Sequence, residues 1–414
     1  MTMFNLEEFI NQYVVKRDGS MFSHDVAAHS LELCSVINGK SVLVIGGAGS
    51  IGSSFICAIL PYHPAEIVVV DTNENAIAEL TRALRSSCVY SSLVPDRYTP
   101  YPMDYSSVPF KRMFENHRRG DGFIGFDIVA NFSAHKHVRS EKDIYSVEAM
   151  IRNNVINAKG LLDMLCEHTP EIFFCVSTDK AANPVNIMGA SKKILEDLVF
   201  SYSSFFTVST ARFANVAFSN GSLPASFLER INLHQPLSAP TDTKRYFVSP
   251  IESGQICMMA MLDGMQGGNR HILFPKLDTA QMTTFDQIAR DLLATYGYKV
   301  DECRSDAEAI EKSKDWDESK PYPVYFSKSD TSGEKGYEEF FTDSENINLN
   351  QYKNLGVIVE KSIPERSEVI NLLDRLDEAF AEPLCTKTEI VNIIGSYLAN
   401  FEHIETGKSL DGKM

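Results

Sequence analysis

Ser41–Gly52 reads SVLVIGGAGSIG. The first five residues are a short, β-branched apolar run of the length of a buried strand. Glycine then stands at 46, 47, 49 and 52, and an apolar stretch continues to Leu60 before Pro61. This is G-x-x-G-x-x-G at a strand-to-helix turn. Gly46 permits the tight turn. Gly49 lets the backbone N–H groups around Ser50 and Ile51 approach a pyrophosphate at the helix N-terminus. Gly52 lets the helix pack close to the strand. Glycines alone are a weak signal, and a glycine-rich turn without ligand is the plainer alternative. A strand before and a helix after make the pattern a strong predictor of the first βα unit of a Rossmann-type, doubly wound parallel sheet.

Outward from this turn, the next apolar run, EIVVVD, ends in Asp71. An acid at that distance meets the ribose 2′-hydroxyl of NAD and would repel the 2′-phosphate of NADP. Arg82 and Arg85 follow on the next helix and keep NADP as the alternative. Asp71 can also be read as a helix N-cap, a role open to Thr72 and Asn73 too. YPMDY is expected at the end of a third strand, with Asp104 near the adenine. FDIVANF (126–132) predicts a fourth strand, followed by SAHKHV. Ala134 is expected beside the nicotinamide, and Lys136 and His137 in the substrate pocket. His135 and His137 lack metal-site spacing and partners, so no metal is expected. A long helix is predicted from about 144 to 167. Asn153 and Asn154 inside it need partners if buried, such as a backbone carbonyl or an ordered water.

IFFCVS (172–177) predicts a fifth strand, and it runs into STDKAANPVNIMGASK. Thr178, Asp179 and Lys180 then stand beyond the carboxyl end of a strand, where an α/β sheet opens its ligand crevice. A helix beginning near Val185 carries Met188 and Lys192 one turn apart on one face. A hydroxyl, a carboxylic acid and two amines thus gather near one pocket. The hydroxyl can hold a substrate alcohol, while the acid and an amine divide proton donation and removal. The plainer alternative is a surface turn with solvated charges. Strands alternating with helices to this point predict an α/β fold with a parallel sheet.

The 414 residues make two domains a reasonable expectation. A net charge of −16 argues against a nucleic-acid or anionic-membrane partner. Eight scattered cysteines without a C-x-x-C pair suit a reducing cytoplasm rather than a disulfide framework. No apolar run reaches the length of a bilayer span. The start, MTMFNLEEFINQYVVKRDG, is amphipathic and acid-containing, so it is not read as a signal peptide. Residues 4–16 and 24–37 have helical spacing. They are expected to form a cap, an oligomer contact, or helices packed on the chain's own core.

The blocks GGAGSIGS, SAHKHV, NNV, STDKAANPVNIMGASK, RFANV, KRYFVS and SGEKGYEE, in this order, resemble the nucleotide-sugar 4,6-dehydratases of polysaccharide biosynthesis. These are extended short-chain dehydrogenase/reductases, typified by UDP-N-acetylglucosamine 4,6-dehydratase. The resemblance covers about 40–345. It implies tightly held NAD(P) on a Rossmann domain and a smaller C-terminal domain for the UDP-sugar. The wider superfamily has Tyr-x-x-x-Lys where this chain has Met188-x-x-x-Lys192, a departure shared by one branch of these dehydratases. The resemblance implies roles for Thr178 at the sugar C4 hydroxyl, Asp179 as acid at C6, Lys180 as base at C5 and Lys192 at the nicotinamide ribose. It also implies that Asn215 and the Ser222 turn meet the substrate diphosphate. Arg245 suits the same diphosphate through its fork of donors, with an interdomain salt bridge as the alternative. Glu334 belongs to the family's GEK…EE signature, while Thr331 replaces its usual arginine.

The expected division is an N-terminal helical extension (1–39), a Rossmann domain (40–264) with a substrate-contacting segment (215–245), a smaller nucleotide-sugar domain (265–345) and a C-terminal helical extension (346–414). Helices near 366–380 and 386–401 are expected to cap the site or join subunits in a homo-oligomer. The competing functions are a C5-inverting dehydratase, a nucleotide-sugar 4-epimerase and a non-enzymatic NAD(P)-binding scaffold.

Overall fold

A computed structural model of the chain describes residues 4–137, 141–329, 333, 337, 339–359 and 364–405. Strands β1 (Ser41–Ile45), β2 (Glu66–Asp71), β3 (Arg97–Pro102), β4 (Ile128–Asn131), β5 (Ile172–Val176) and β6 (Thr207–Ala211) form a parallel sheet in the order β3-β2-β1-β4-β5-β6. The order reverses between β1 and β4, and the ligand crevice of such a sheet opens there. The chain then leaves the sheet through β7 (Asn215–Val216), β8 (Leu237–Pro240), β9 (Lys244–Arg245) and β10 (Phe247–Val248). It returns as β11 (His271–Pro275), parallel to β6. Next come β12 (Thr283–Thr284), β13 (Val300–Glu302) and β14 (Tyr322–Ser327). Antiparallel β15 (Ile347–Asn348) and β16 (Leu355–Val359) complete the sheet edge beside β11.

Side chains alternate across the sheet. Leu43, Ile45, Val68, Val70 and Phe173 enter one buried cluster, while Val42, Val44, Ile67, Val69 and Phe174 enter another. Both faces are therefore covered, which is why these strands are unbroken apolar runs in the sequence.

Helices α1 (Leu6–Phe9), α2 (Ser23–Ala28) and α3 (Ser30–Ile37) precede the sheet. Helix α4 (Ser50–Ile59) follows β1, α5 (Glu74–Ser86) follows β2, and α6 (Val108–Asn116) follows β3. The long helix expected after β4 is α7 (Ile144–Ile151) and α8 (Asn157–Glu167), joined by a π-helical turn, Arg152–Ile156. Helix α9 (Ile187–Ser201) follows β5. Further on come α10 (Leu223–Asn232), α11 (Pro250–Met265), α12 (Phe285–Thr295), α13 (Asp306–Lys314), α14 (Arg366–Ala381) and α15 (Lys387–Tyr397). Helices α7 to α9 with α14 and α15 cover one face, and α4 and α11 the other. The crossing of α4 and α11 is nearly backbone to backbone, since a Cβ on Gly254 would lie 2.1 Å from the Ser54 carbonyl oxygen.

The smaller lobe is assembled differently from the expected division. Its core joins Phe227 and Ile231 of α10, Leu237 of β8, Ile288 and Leu292 of α12 and Val324 of β14 with Phe9, Ile10, Val14 and Val15 of the N-terminal segment. Each such buried side chain contributes about 1.5–3 kcal/mol, so residues 9–15 are part of that lobe's stability. Residues 271–275 and 355–359, expected in the smaller domain and in the C-terminal extension, are instead strands of the central sheet. A short apolar run looks the same in either place, and pairing with β6 decides between them.

Candidate active site

The turn after β1 has the geometry its glycines imply. Gly46 has φ +70°, and a Cβ there would lie 2.6 Å from the backbone nitrogen of Ser133, in the loop after β4. A Cβ on Gly52 would lie 2.4 Å from the Gly46 carbonyl oxygen. At Gly49, the N-cap of α4, a Cβ would meet only that same oxygen, at 3.3 Å. Little protein thus approaches Gly49 itself, and the unpaired first-turn N–H groups of α4 beside it suit a pyrophosphate, while Asn220 N donates to Ser50 Oγ at 2.9 Å.

Asp71 ends β2 with its carboxylate on this turn, accepting from Ala48 N at 3.1 Å and Asn73 N at 3.0 Å. The cap of α5 is Asn73, which accepts from Ala76 N, so Asp71 does not serve as the cap. Arg82 pairs with Glu79 at 3.2 Å and Arg85 lies over the Tyr98 ring, so both have partners on their own side of the fold. Asp104 follows β3, exposed, and its carboxylate accepts from the backbone and hydroxyl of Ser106.

The loop after β4 is pinned from behind by the π-helical turn. Asn154 accepts from His135 N at 2.8 Å and donates to the His135 carbonyl and to Ser191 Oγ, each at 3.0 Å. A backbone carbonyl was one of the two partners expected of a buried asparagine here. Ser133 donates to Asn153 Oδ1 at 3.3 Å, so Ala134 is held between two anchored neighbours. A π turn of this kind re-aims the side chains on a helix face, here bringing consecutive asparagines to one loop. Lys136 and His137 are exposed, and a Cβ on Gly221 would lie 3.0 Å from His137 Nε2.

At the end of β5, Thr178 caps a short 3-10 turn, Asp179–Ala181. Its hydroxyl donates to Asp179 Oδ1 at 2.8 Å, and Lys180 Nζ lies 3.1 Å from the same oxygen. Asp179 is buried, with 3% of its surface exposed. Helix α9 begins at Ile187 with Asn186 as its cap. A Cβ on Gly189 would lie 2.6 Å from the Lys180 carbonyl oxygen, so glycine there lets the turn rest on the helix. Met188 is buried, and its backbone N–H donates to Glu141 Oε1 at 2.9 Å. Lys192 is buried too and donates to the Val176 carbonyl at 3.2 Å. Burial lowers its pKa to about 8.

Among the other expected substrate residues, Asn215 has a buried amide nitrogen with no hydrogen-bond partner among the described residues. Buried amides are normally satisfied, and a bound polar group would satisfy this one. Ser222 caps α10. Arg245 is buried in β9, paired with β12. Glu334 lies outside the described residues.

Unanticipated in the sequence is an ion triad built around buried Arg212 and Glu196, with half-buried Glu345 as its third member. Arg212, with no exposed surface, donates to both oxygens of Glu196 at 2.8 and 2.7 Å and to both oxygens of Glu345 at 2.9 and 2.8 Å. Burial opposes charge on Glu196, but Arg212, Lys193 and Ser177 hold its carboxyl below the ordinary value of 4.5. The available signals were an arginine directly after the strand TVSTA and two adjacent acids, Glu196 and Asp197, set within the apolar residues of ILEDLVF in α9.

Residues 42–360 match a family described as polysaccharide biosynthesis protein. The chain is 28% identical over 326 residues to an uncharacterized membrane protein of Methanocaldococcus jannaschii, covering 77% of this chain and 85% of that one. It is 27% identical to the capsular polysaccharide biosynthesis protein CapD of Staphylococcus aureus, covering 77% of this chain but only about half (49%) of CapD. It is 26% identical to an inverting UDP-N-acetylglucosamine 4,6-dehydratase of Campylobacter jejuni, covering 64% of this chain and 74% of that one. Among solved structures, Pen from Bacillus thuringiensis matches with a TM-score of 0.58 at 20% identity, covering 79% of this chain and 88% of Pen. The dTDP-glucose 4,6-dehydratase DesIV from Streptomyces venezuelae matches at 0.53 and 18%, covering 72% and 87%. These two likenesses support the fold. Among the described residues, no helix is long and apolar enough to cross a membrane. A family match over most of the chain, on a Rossmann-type sheet with this crevice, establishes that the chain belongs to the polysaccharide biosynthesis protein family.

Proposed function

We propose that the chain is an NAD-dependent nucleotide-sugar 4,6-dehydratase. Its substrate is UDP-N-acetylglucosamine, its product is the 4-keto-6-deoxy sugar nucleotide, and its setting is the cytoplasm. The observation that carries this reading is the convergence of Thr178 Oγ1 and Lys180 Nζ on one oxygen of buried Asp179, at 2.8 and 3.1 Å. A 4-epimerase has no need of an acid and an amine at this point, because no C–O bond breaks. NAD rather than NADP is supported by the carboxylate of Asp71 beside the glycine turn and by the engagement of Arg82 and Arg85 elsewhere.

The glycine turn would hold the pyrophosphate, Asp71 the adenosine ribose, and Lys192 the nicotinamide ribose. Asn215 and Arg245 face the substrate diphosphate. Bound there, NAD+ would supply the hydride acceptor for sugar C4 and, once reduced, the hydride donor for C6.

Thr178 takes the hydrogen bond of the C4 hydroxyl and passes its own proton to Asp179, so C4 becomes a ketone and Asp179 becomes a neutral acid. The ketone acidifies C5–H, and neutral Lys180 removes that proton. Asp179 then protonates the departing C6 hydroxyl, which leaves as water. Lys180, whose ammonium protons exchange with solvent, finally delivers a proton to C5, and both groups regain their starting states. The missing tyrosine at position 188 is accommodated because the proton route runs through Thr178 and Asp179. Met188 is the basis for proposing retained configuration at C5.

Incubation of the purified protein with UDP-N-acetylglucosamine in heavy water, read by mass spectrometry and NMR, tests this. The expected product is one water lighter, with a C4 ketone, a C6 methyl and deuterium at C5. An unchanged mass with inverted C4 would establish an epimerase instead. Inverted C5 in a dehydrated product would overturn the stereochemical part alone.

A further inference from the structure

The family match ends at residue 360, yet the chain beyond it reaches the catalytic turn. Helices α14 and α15 lie on the α8–α9 face. Arg366 pairs with Asp163 at 3.0 Å, and Tyr397 OH donates to Asp197 at 3.3 Å. After α15 the chain runs alongside the loop between Lys180 and α9. Asn400 Nδ2 donates to the Ala182 carbonyl at 3.2 Å, Glu402 N to Pro184 O at 3.4 Å and Ile404 N to Val185 O at 2.9 Å. The Ile404 carbonyl in turn accepts from Gly333 N at 3.0 Å, and Asn186 Nδ2 donates to Gly333 O at 2.9 Å. Residues 400–404 thus touch the catalytic loop and Gly333 of the GEK stretch together.

Side chains reinforce the backbone. His403 Nε2 lies 3.4 Å from Glu141 Oε2, and the other oxygen of Glu141 receives the Met188 N–H at the start of α9. Lys387 pairs with Glu405 and donates to the Glu141 carbonyl.

We propose that residues 400–405 are a strap that positions the catalytic turn, with Ile404 and His403 as positioning residues. The inference rests on the reading of Thr178–Lys180 as that turn. Residues 182–185 lie in no strand, so their carbonyls have no ladder to join. Segments poor in such bonds open locally at little cost, and a small misplacement of a reacting group costs rate steeply. The strap supplies bonds that the sheet does not.

The test is Ile404→Pro, which removes one backbone donor at a residue 41% exposed, with Ile404→Ala as the control that keeps it. Two quantities are read: amide hydrogen exchange over 181–190, and kcat for sugar dehydration. Ile404→Pro should raise exchange in that window and lower kcat roughly tenfold to a hundredfold. Retained NAD and the melting midpoint should stay as in the parent, and Ile404→Ala should behave as the parent throughout.

Parental turnover in Ile404→Pro, lost turnover without a change in local exchange, or equal loss in Ile404→Ala would each overturn the strap. If Ile404→Pro does not fold, His403→Ala is judged by the same two readings, with His403→Gln as the rescue. If the parent does not dehydrate the sugar, the dehydratase reading falls. The exchange arm then decides the strap alone, and unchanged exchange overturns it.

Discussion

Ser177 and Glu196 meet at 2.5 Å where β5 hands over to the Thr178–Lys180 turn. The serine hydroxyl donates to the same carboxylate oxygen that receives Arg212 Nε. The residue before Thr178 is thereby tied to α9, to β6 and, through Arg212, to Glu345. The turn is held by a charged network rather than by apolar packing alone.

Arg212→Met should therefore be severe. It leaves buried Glu196 and partly buried Glu345 without this cation, and breaking a buried pair from one side costs about 3–5 kcal/mol. Urea unfolding would show it as a lowered midpoint. A loss below about 1 kcal/mol, the range of an exposed pair, would mean that the network does not hold the fold. The acid limb follows from Glu196. Its depressed pKa contributes stability above the ordinary carboxyl value of 4.5, which is lost as pH falls through the folded value.

Asp179→Asn and Lys180→Met should each lower kcat by roughly 10²–10⁴, the usual worth of a general acid or base. Retained dinucleotide and the circular dichroism spectrum should not change. Steady-state assays on UDP-N-acetylglucosamine decide it, and a fall of less than about tenfold in either variant would remove that residue from the chemistry.

Gly52→Ala should strip the protein of cofactor. The new methyl would sit 2.4 Å from a backbone oxygen of the turn proposed for the pyrophosphate, and overpacking of this kind costs about 1–3 kcal/mol. Dinucleotide released on denaturation, set against protein concentration, measures the effect. Parental occupancy in the variant would contradict the placement.

Asp71→Asn should shift the bound dinucleotide toward NADP, because the carboxylate that repels a 2′-phosphate becomes neutral. Chromatography of the released cofactor reads the ratio directly. A parent protein that already carries mainly NADP would refute the assigned preference.

Lys192 sets a pH window. Its pKa is lowered to about 8 by burial, so its charge is lost as pH rises through that value. Turnover that needs the cation should decline on the alkaline side of about 8. Stability runs the opposite way. Burying the cation costs on the order of 3 kcal/mol at pH values below its folded pKa, and the cost is relieved between about 8 and the ordinary 10.5. Relative to Lys192→Met, the parent should thus gain stability with pH across that window. Unfolding curves at several pH values test this, and parallel profiles for the two proteins would rule it out.

The parts of this fold legible in the sequence are those with local causes. SVLVIGGAGSIG announces its strand, turn and helix within a dozen residues, because each glycine answers a contact made inside that unit or against the next strand. The unbroken apolar runs of β1, β2 and β5 declare a sheet covered on both faces. Asp71, Thr178, Asp179 and Lys180 could be singled out as candidates because they follow strand ends of such a sheet, where a ligand crevice opens.

Other features depended on partners distant in the chain. Nothing near Arg212 names Glu345, 133 residues away, as its partner, and nothing near Pro184 or Val185 names the backbone of residues 402–404. The run at 271–275 was apolar enough for either lobe until its pairing with β6 placed it. Periodicity, caps and turn residues record forces acting over one or two turns of chain. Ion pairs between elements and backbone bonds between loops depend on the folded path, and they are settled only when the packed core brings those groups within reach.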